Sequence, residues 1–361
     1  MEFKDILIKE NIKGLIPYPI EDHNYKIKLD ANESPFSIDW VKWPEMMEEL
    51  RKIPLNRYPD PHAKALRKAL SRYLDWPADR MILGNGSDEL IQYILMVFGD
   101  HDLPVYAPHP SFSMYRIIAL SMGLEFRKIS LEEGFELPIS QALIDELSGE
   151  PQKILFIPTP NNPTGNAFNR DHVLTLLKNT NGIVCIDEAY RDFSAGDGFL
   201  DILPKFDNLI ILRTLSKIGM AGLRVGILLG NEGAVEAISK VRLPYNLNAF
   251  SQFLALAVMN HHDQLLDMIE KIKKNRSWLQ EEMQNIKGIR IFPSQANFVL
   301  FTCEGNTDAI FHGLLKEGIL IKIFPPEEPW PGLMRVTVGN QNECGTFIRA
   351  LKKVLSNQGR E

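Results

Sequence analysis

The stretches IVCIDEAY (residues 183–190) and LIILRTLSK (residues 209–217) each place a short apolar run directly before polar, chemistry-bearing residues. Runs this short and this apolar read as strands buried on both faces of a parallel sheet. The same texture recurs at ILFIP (154–158) and GILLG (226–230), with a polar helix expected near 169–179. Upstream, the spacing predicts helix 61–74, strand 80–83, helix 87–98, strand 103–106, helix 111–121 and strand 124–129. Short strands alternating with longer amphipathic segments are the rhythm of an α/β fold. After Pro244 a long helical segment is expected from about 250 to 286, then the strands IRIF and NFVLF, a helix at 307–317 and the strand MRVTV at 334–338. The expected organisation is an arm over 1–32, a large α/β domain over 33–247 and a smaller α+β domain over 248–361.

A chain of 361 residues with 45% apolar and 24% charged residues has the size of about two domains and excludes a disordered or fibrous protein. Forty basic against forty-six acidic residues leave a net charge of −6, so the overall field repels nucleic acid and anionic lipid. A small anionic substrate then needs a local basic pocket. Cys185, Cys303 and Cys344 are far apart with no CxxC pair, which supports neither a disulfide framework nor a cysteine-rich zinc site. His261 and His262 are adjacent and face different ways on a helix, so no metal is expected there. The first residues mix Lys and Glu into apolar positions, unlike a signal peptide, and no apolar run reaches the roughly 20 residues of a membrane span. A soluble, cytoplasmic protein is expected.

Four places carry candidate chemistry. Gly84-Asn85-Gly86-Ser87-Asp88-Glu89 leads from a strand into a helix whose apolar face is Leu90, Ile91, Ile94 and Leu95. Free N–H groups at such a helix start can bind a phosphate, although Ser87-Asp88 also serves as an ordinary helix cap and the third glycine of a dinucleotide fingerprint is missing. The turn TPNNPTG (159–165) is either simply rigid or presents the Asn162 amide beyond a strand's carboxyl end, where open parallel sheets bind ligands. Asp187 ends an apolar strand, where a buried carboxylate needs a cationic or protonated partner unless it caps the following turn. Lys217 follows Thr214 and Ser216 and precedes Arg224. It is either a solvated surface lysine or an amine that bonds an aldehyde, with hydroxyls and an arginine beside it to hold a phosphate. Phosphate cradle, amide donor, strand-end carboxylate, lysine and arginine, in that order, are the set pyridoxal phosphate requires.

With these motifs in place the sequence resembles the fold type I pyridoxal-phosphate aminotransferases (class II) and, within them, the histidinol-phosphate aminotransferase branch. The resemblance rests on KLDANESP (28–35), NRYPDP (56–61), GNGSDELI (84–91), HPSFSMY (109–115), TPNNPTGN (159–166), IDEAY (186–190), RTLSKIGMAGLRVG (213–226) and MRVTVG (334–339), nearly the whole chain. It implies a mainly parallel seven-stranded sheet between helices, pyridoxal 5'-phosphate as cofactor, and a homodimer with shared active sites. Lys217 is then the Schiff-base lysine and proton carrier, with Asp187 on the pyridine nitrogen and Asn162 and Tyr190 on the ring oxygen. Lys217, Asp187 and Tyr190 form the catalytic set. Phe112 would stack on the ring, at a place where the family often has tyrosine. Gly86, Ser87, Thr214, Ser216 and Arg224 would hold the phosphate, Asp88 joins the cofactor-binding set, and Tyr58 would reach the same phosphate from the partner subunit.

For substrate, the resemblance implies Arg335 on an anionic end, with Tyr18, Asn32 and Tyr58 lining the pocket. Lys322 stands where many members have an arginine for the substrate phosphate; lysine keeps the charge but loses the planar bidentate fork. The activity implied is exchange of an amino group between L-glutamate/2-oxoglutarate and L-histidinol phosphate/imidazole acetol phosphate, a step of histidine biosynthesis. Threonine-phosphate decarboxylases and aromatic amino acid aminotransferases share most of these motifs and stay open as alternatives. A non-enzymatic regulatory descendant is disfavoured by the presence of Lys217, Asp187, Asn162 and Arg224 together.

Overall fold

A computed structural model describes residues 8–16, 23–41, 43–326 and 331–358. Its strands, in chain order, are β1 (Ile27–Leu29), β2 (Met81–Asn85), β3 (Val105–His109), β4 (Phe126–Ser130), β5 (Lys153–Pro158), β6 (Gly182–Asp187), β7 (Leu209–Thr214), β8 (Val225–Gly230), β9 (Ile289–Ile291), β10 (Phe298–Cys303), β11 (Ile319–Ile323) and β12 (Met334–Thr337). Seven of them form one sheet in the order β2-β8-β7-β6-β5-β3-β4. The pairs from β4 through β3, β5 and β6 to β7 are parallel. Only β8 is reversed, running antiparallel to both β7 and β2. The connection that precedes it, residues 215–224, holds two short 3-10 turns and no crossover helix, so the chain returns alongside β7 in the opposite sense.

The near-continuous apolar runs are explained by packing on both faces. Leu155, Ile157, Val184, Ile186 and Ile211 point into one cluster with Val173 and Leu176. Their neighbours Ile154, Phe156, Cys185, Ile210 and Leu212 point into the other, with Leu90 and Ile94. Alternate residues thus face opposite layers and both layers exclude water.

The second sheet has the order β1-β11-β12-β10-β9, parallel between β1 and β11 and antiparallel elsewhere. Neither β1 nor β11 was expected from the sequence. β1 is three residues long with Lys28 at its centre, too short to show a pattern, whereas β11, ILIKI, carries a strand's apolar texture that sequence reasoning missed. Two helices also differ from expectation. The helix expected at 61–74 begins at Lys64, because the Asp60 carboxylate accepts the N–H groups of His62 and Lys64 at 2.9 and 2.8 Å and forms a turn first. The helical segment expected over 250–286 is two helices, Ala249–Met259 and His262–Gln284, separated where His261 leaves helical geometry (φ −122°, ψ 39°). The break lets the first pack on Lys64–Leu74 while the second covers the smaller sheet.

Candidate functional site

Strands β2, β3, β5, β6 and β7 share one direction, so the segments after their last residues gather along a single edge of the large sheet. That edge receives Gly86, Phe112, Asn162, Asp187 and Tyr190, and the Thr214–Lys217 turn, in the place where open α/β sheets hold ligands.

At one end of this edge the helix Ser87–Phe98 starts after Gly86 (φ +86°) with no side-chain cap. Arg170–Asn179, Glu232–Ser239, Ala249–Met259 and Thr307–Lys316 are each capped by an asparagine side chain, whereas Lys64–Leu74, Met114–Ser121 and His262–Gln284 also start without a side-chain cap. A helix start of this kind offers N–H donors to an anion. Ser87 is therefore the first helical residue rather than its cap. A Cβ on Gly86 would collide with the Arg224 guanidinium, and one on Gly226 would lie 2.5 Å from the Gly86 backbone. Both glycines keep this cradle open. Arg224, itself left-handed (φ 53°), reaches Asp88 Oδ2 at 3.3 Å, while Asp88 Oδ1 is buried without a hydrogen bond. The buried Thr214 hydroxyl lies 2.9 Å from that of Ser216 and accepts the Ser216 N–H at 3.1 Å. Uncapped donors, two hydroxyls and an arginine fit a phosphate.

Asp187 is 4% exposed at the end of β6. Its Oδ2 accepts the Tyr115 hydroxyl at 2.6 Å and its Oδ1 the Ala189 N–H at 3.0 Å. Burial pushes its carboxyl up to about 6, against those two hydrogen bonds, which pull it down; the charges of Asp88 and Glu188 push it further up. A buried carboxylate near neutrality is suited to pairing with a cationic or protonated group. Next to it, Glu188 is fully buried and bonded to Arg213 Nε at 2.8 Å and to the Phe199 N–H at 2.8 Å.

The smaller sheet supplies the other wall. Asn32, buried with φ 55°, donates from Nδ2 to the Tyr190 hydroxyl at 2.9 Å. It is held by its own N–H on Thr337 Oγ1 at 3.0 Å and by Asn297 Nδ2 on its carbonyl at 3.0 Å. With its oxygen accepting from Asn32, Tyr190 keeps its phenolic proton to donate elsewhere. Lys217 Nζ lies 5.7 Å above the Tyr190 ring. Arg335 donates to Asn162 Oδ1 and, at 2.5 Å, to the Asp30 carbonyl, and its guanidinium lies over the Phe298 and Phe324 rings. Lys322 is its direct cross-strand partner.

The residues singled out in the sequence are thus joined in six contacts: Gly86 and Asp88 each with Arg224, Thr214 with Ser216, Asn162 with Arg335, and Asn32 and Lys217 each with Tyr190. Phe112 reaches the group through Tyr115, edge-on with centroids 5.5 Å apart. Tyr58 is apart from them, 79% exposed and stacked on Tyr245 at 4.4 Å. Tyr18 lies outside the described residues. Sequence reasoning missed Tyr115, Thr337 and the Glu188–Arg213 pair. For Tyr115 a signal existed, since it stands three residues after Phe112 in HPSFSMY and so shares its side of a helical turn; for Thr337 none existed, because only strand register brings it to Asn32.

A sequence profile of the family described as aminotransferase class I and II matches residues 24–351. The chain is 40% identical over 351 residues to histidinol-phosphate aminotransferase 2 of Nitrosococcus oceani, covering 96% of both chains. It is 37% identical over 351 residues to histidinol-phosphate aminotransferase of Aquifex aeolicus, covering 97% of this chain and 98% of that one. The fold is shared with the crystal structure of histidinol-phosphate aminotransferase from Sinorhizobium meliloti in complex with pyridoxal-5'-phosphate, with a TM-score of 0.87 at 21% identity and 98% of each chain covered. With a seven-stranded sheet of the same fold and a family match over most of its length, the chain belongs to the class I and II aminotransferases.

Proposed function

We propose that this aminotransferase exchanges the amino group of L-glutamate with the oxo oxygen of imidazole acetol phosphate, giving 2-oxoglutarate and L-histidinol phosphate, with pyridoxal 5'-phosphate as cofactor. Names of relatives covering nearly the whole chain support the substrate. The observation that carries it is the pairing of Lys322 with Arg335 in register on β11 and β12. Directly opposed residues share a face of the sheet, so the two cations form a basic patch that favours an anion. A phosphorylated substrate supplies that anion.

When bound, pyridoxal phosphate supplies an aldehyde and a protonated ring that draws electrons from the carbon bearing the amino group. The uncapped start of Ser87–Phe98, with Thr214, Ser216 and Arg224, would hold its phosphate. Asp187 would hold the proton on its ring nitrogen, Phe112 would cover a ring face, and the Asn162 amide and the Tyr190 hydroxyl would donate to its ring oxygen. Lys217 Nζ would bond the aldehyde end at rest and, once released, take and return the proton at the substrate α-carbon. Arg335 would bind the anionic end of glutamate, holding Asn162 as it does so, and Lys322 the phosphate of the second substrate. Asn32 lines the wall by orienting Tyr190.

An arm over 1–32, a large unit over 33–247 and a small one over 248–361 are part of this reading, with β1 of the arm paired into the smaller sheet, as are a dimer and a cytoplasmic location. No helix among the described residues is long and apolar enough to cross a membrane. The test is glutamate formation from 2-oxoglutarate with L-histidinol phosphate, L-phenylalanine or O-phosphothreonine as partner, with carbon dioxide release followed for the last. Turnover with histidinol phosphate at least about tenfold above phenylalanine, abolished in Lys217→Ala, is expected. Faster turnover of phenylalanine, or carbon dioxide from phosphothreonine, would overturn the substrate assignment.

A further inference from the structure

The aromatic pile beneath the site contains one polar atom that packing alone does not need. Tyr115, in the first turn of the helix Met114–Ser121, is 1% exposed and stacked on Phe156, with centroids 4.8 Å apart and planes at 13°. It also meets Phe112 edge-on at 86°. A phenylalanine would satisfy both contacts. The hydroxyl, however, is aimed at Asp187 Oδ2, 2.6 Å away, and on the carboxyl's other oxygen sits the Ala189 N–H. An ionised carboxylate has about four lone-pair positions, so two donors, one on each oxygen, fix its plane while leaving it able to accept from one further group.

Resting on the cofactor reading above, we infer that Tyr115 is a positioning residue for the reaction: its hydroxyl holds Asp187 in the orientation and charge that a protonated ring nitrogen requires. The same side chain aligns Phe112, so one residue sets both the carboxylate and the ring expected to stack. The groups facing Asp187 make the hydroxyl matter. Asp88, from the helix Ser87–Phe98, and Glu188, beside it, both act against its charge. Glu188 is itself occupied by Arg213. Cys185 and Tyr190 also act on the Tyr115 hydroxyl, whose own ionisation is pushed well up by burial and then by the Asp187 charge, so it stays protonated and donates to Asp187. Among the described residues, the Tyr115 hydroxyl is the side chain bonded to Asp187, and with the Ala189 N–H it favours the charged form.

Tyr115→Phe keeps the stack and removes the donor. Two measurements on the full-length chain follow it: equilibrium binding of pyridoxal 5'-phosphate between pH 6.5 and 8.5, and the carboxyl titration of Asp187 by carbon-13 NMR in the cofactor-free protein, with Asp187→Asn identifying the signal. At pH 6.5 the variant is expected to bind about threefold more weakly than wild type, the difference closing by pH 8.5 as higher pH restores the charge. The Asp187 midpoint is expected to move up by about one unit. Equal weakening at every pH together with an unmoved midpoint overturns the inference, since a packing defect has no reason to follow pH. If wild type itself binds no pyridoxal 5'-phosphate, the cofactor reading falls, while the NMR midpoint still decides whether Tyr115 governs Asp187.

Discussion

Asp187 is the residue on which the site's electrostatics turn. An aspartate is ordinarily ionised in the unfolded chain above about pH 4, whereas burial raises it here to about 6. Between those values the folded state binds more protons than the unfolded one, so this group's contribution to stability falls as pH rises and stays unfavourable above about 6. Asp187→Asn removes that penalty. In urea unfolding of the cofactor-free protein, the variant should gain stability relative to wild type between pH 5 and pH 7.5, by on the order of 2 kcal/mol. A difference that does not change with pH would mean that Asp187 titrates as an ordinary carboxylate. The penalty has a functional reading: a carboxylate kept from water is a stronger partner for a protonated ring, and binding such a ring relieves it. Stability is therefore spent at the point where the ligand returns it.

At the level of elements, the ends of β6 and β7 are tied by Arg213 and Glu188, with side chains 12% and 0% exposed. Arg213 also lies 4.0 Å from Asp192, which accepts the Tyr73 hydroxyl at 2.9 Å, so the pair anchors the helix Lys64–Leu74 as well. Since β7 leads straight into Lys217, this ion pair fixes the strand end that carries the lysine. Arg213→Met should destabilise the fold by about 3 kcal/mol in denaturant unfolding, because Glu188 is left charged and buried. The Arg213→Met/Glu188→Gln double variant should recover about half of that loss. Additive losses would show that the two side chains act independently. The same scale governs β11. Its run ILIKI is apolar enough to read as a strand, but only its register against β12 sets Lys322 beside Arg335.

Over the whole molecule, one face is less finished than the rest. Leu55 and Tyr58, both 79% exposed, border an open groove of about 590 Å³ with Tyr245 and Phe250, and Leu243, next in sequence to the lining Pro244, is 62% exposed. An apolar patch of this kind is expected to be covered by another surface, and a second copy of the chain agrees with the role proposed for Tyr58. Sedimentation should give twice 41.1 kDa. Leu55→Asp combined with Leu243→Asp should shift the chain to monomer and weaken pyridoxal 5'-phosphate about tenfold, because Tyr58 would then serve no neighbouring site. A wild-type monomer with full cofactor affinity would refute the shared site.

What the sequence determined by itself was the α/β class and the order of the chemistry-bearing residues along one sheet edge. Both are local: apolar runs of five or six residues between turn signals and amphipathic helices read as buried strands, and in a parallel sheet the residues after each run must emerge on the same side. Gly86, Asn162, Asp187 and Lys217 were legible for that reason. Tertiary structure alone decided the rest. The reversal of β8 follows from a short connection whose turns have no distinctive pattern, and the break at His261 separates a helix packed on Lys64–Leu74 from one packed on the smaller sheet. Tyr115 on Asp187 and Asn32 on Tyr190 join residues 72 and 158 positions apart. Such contacts depend on how layers stack and on strand register, which are set by burial summed over the whole chain and leave no mark on the few residues that meet.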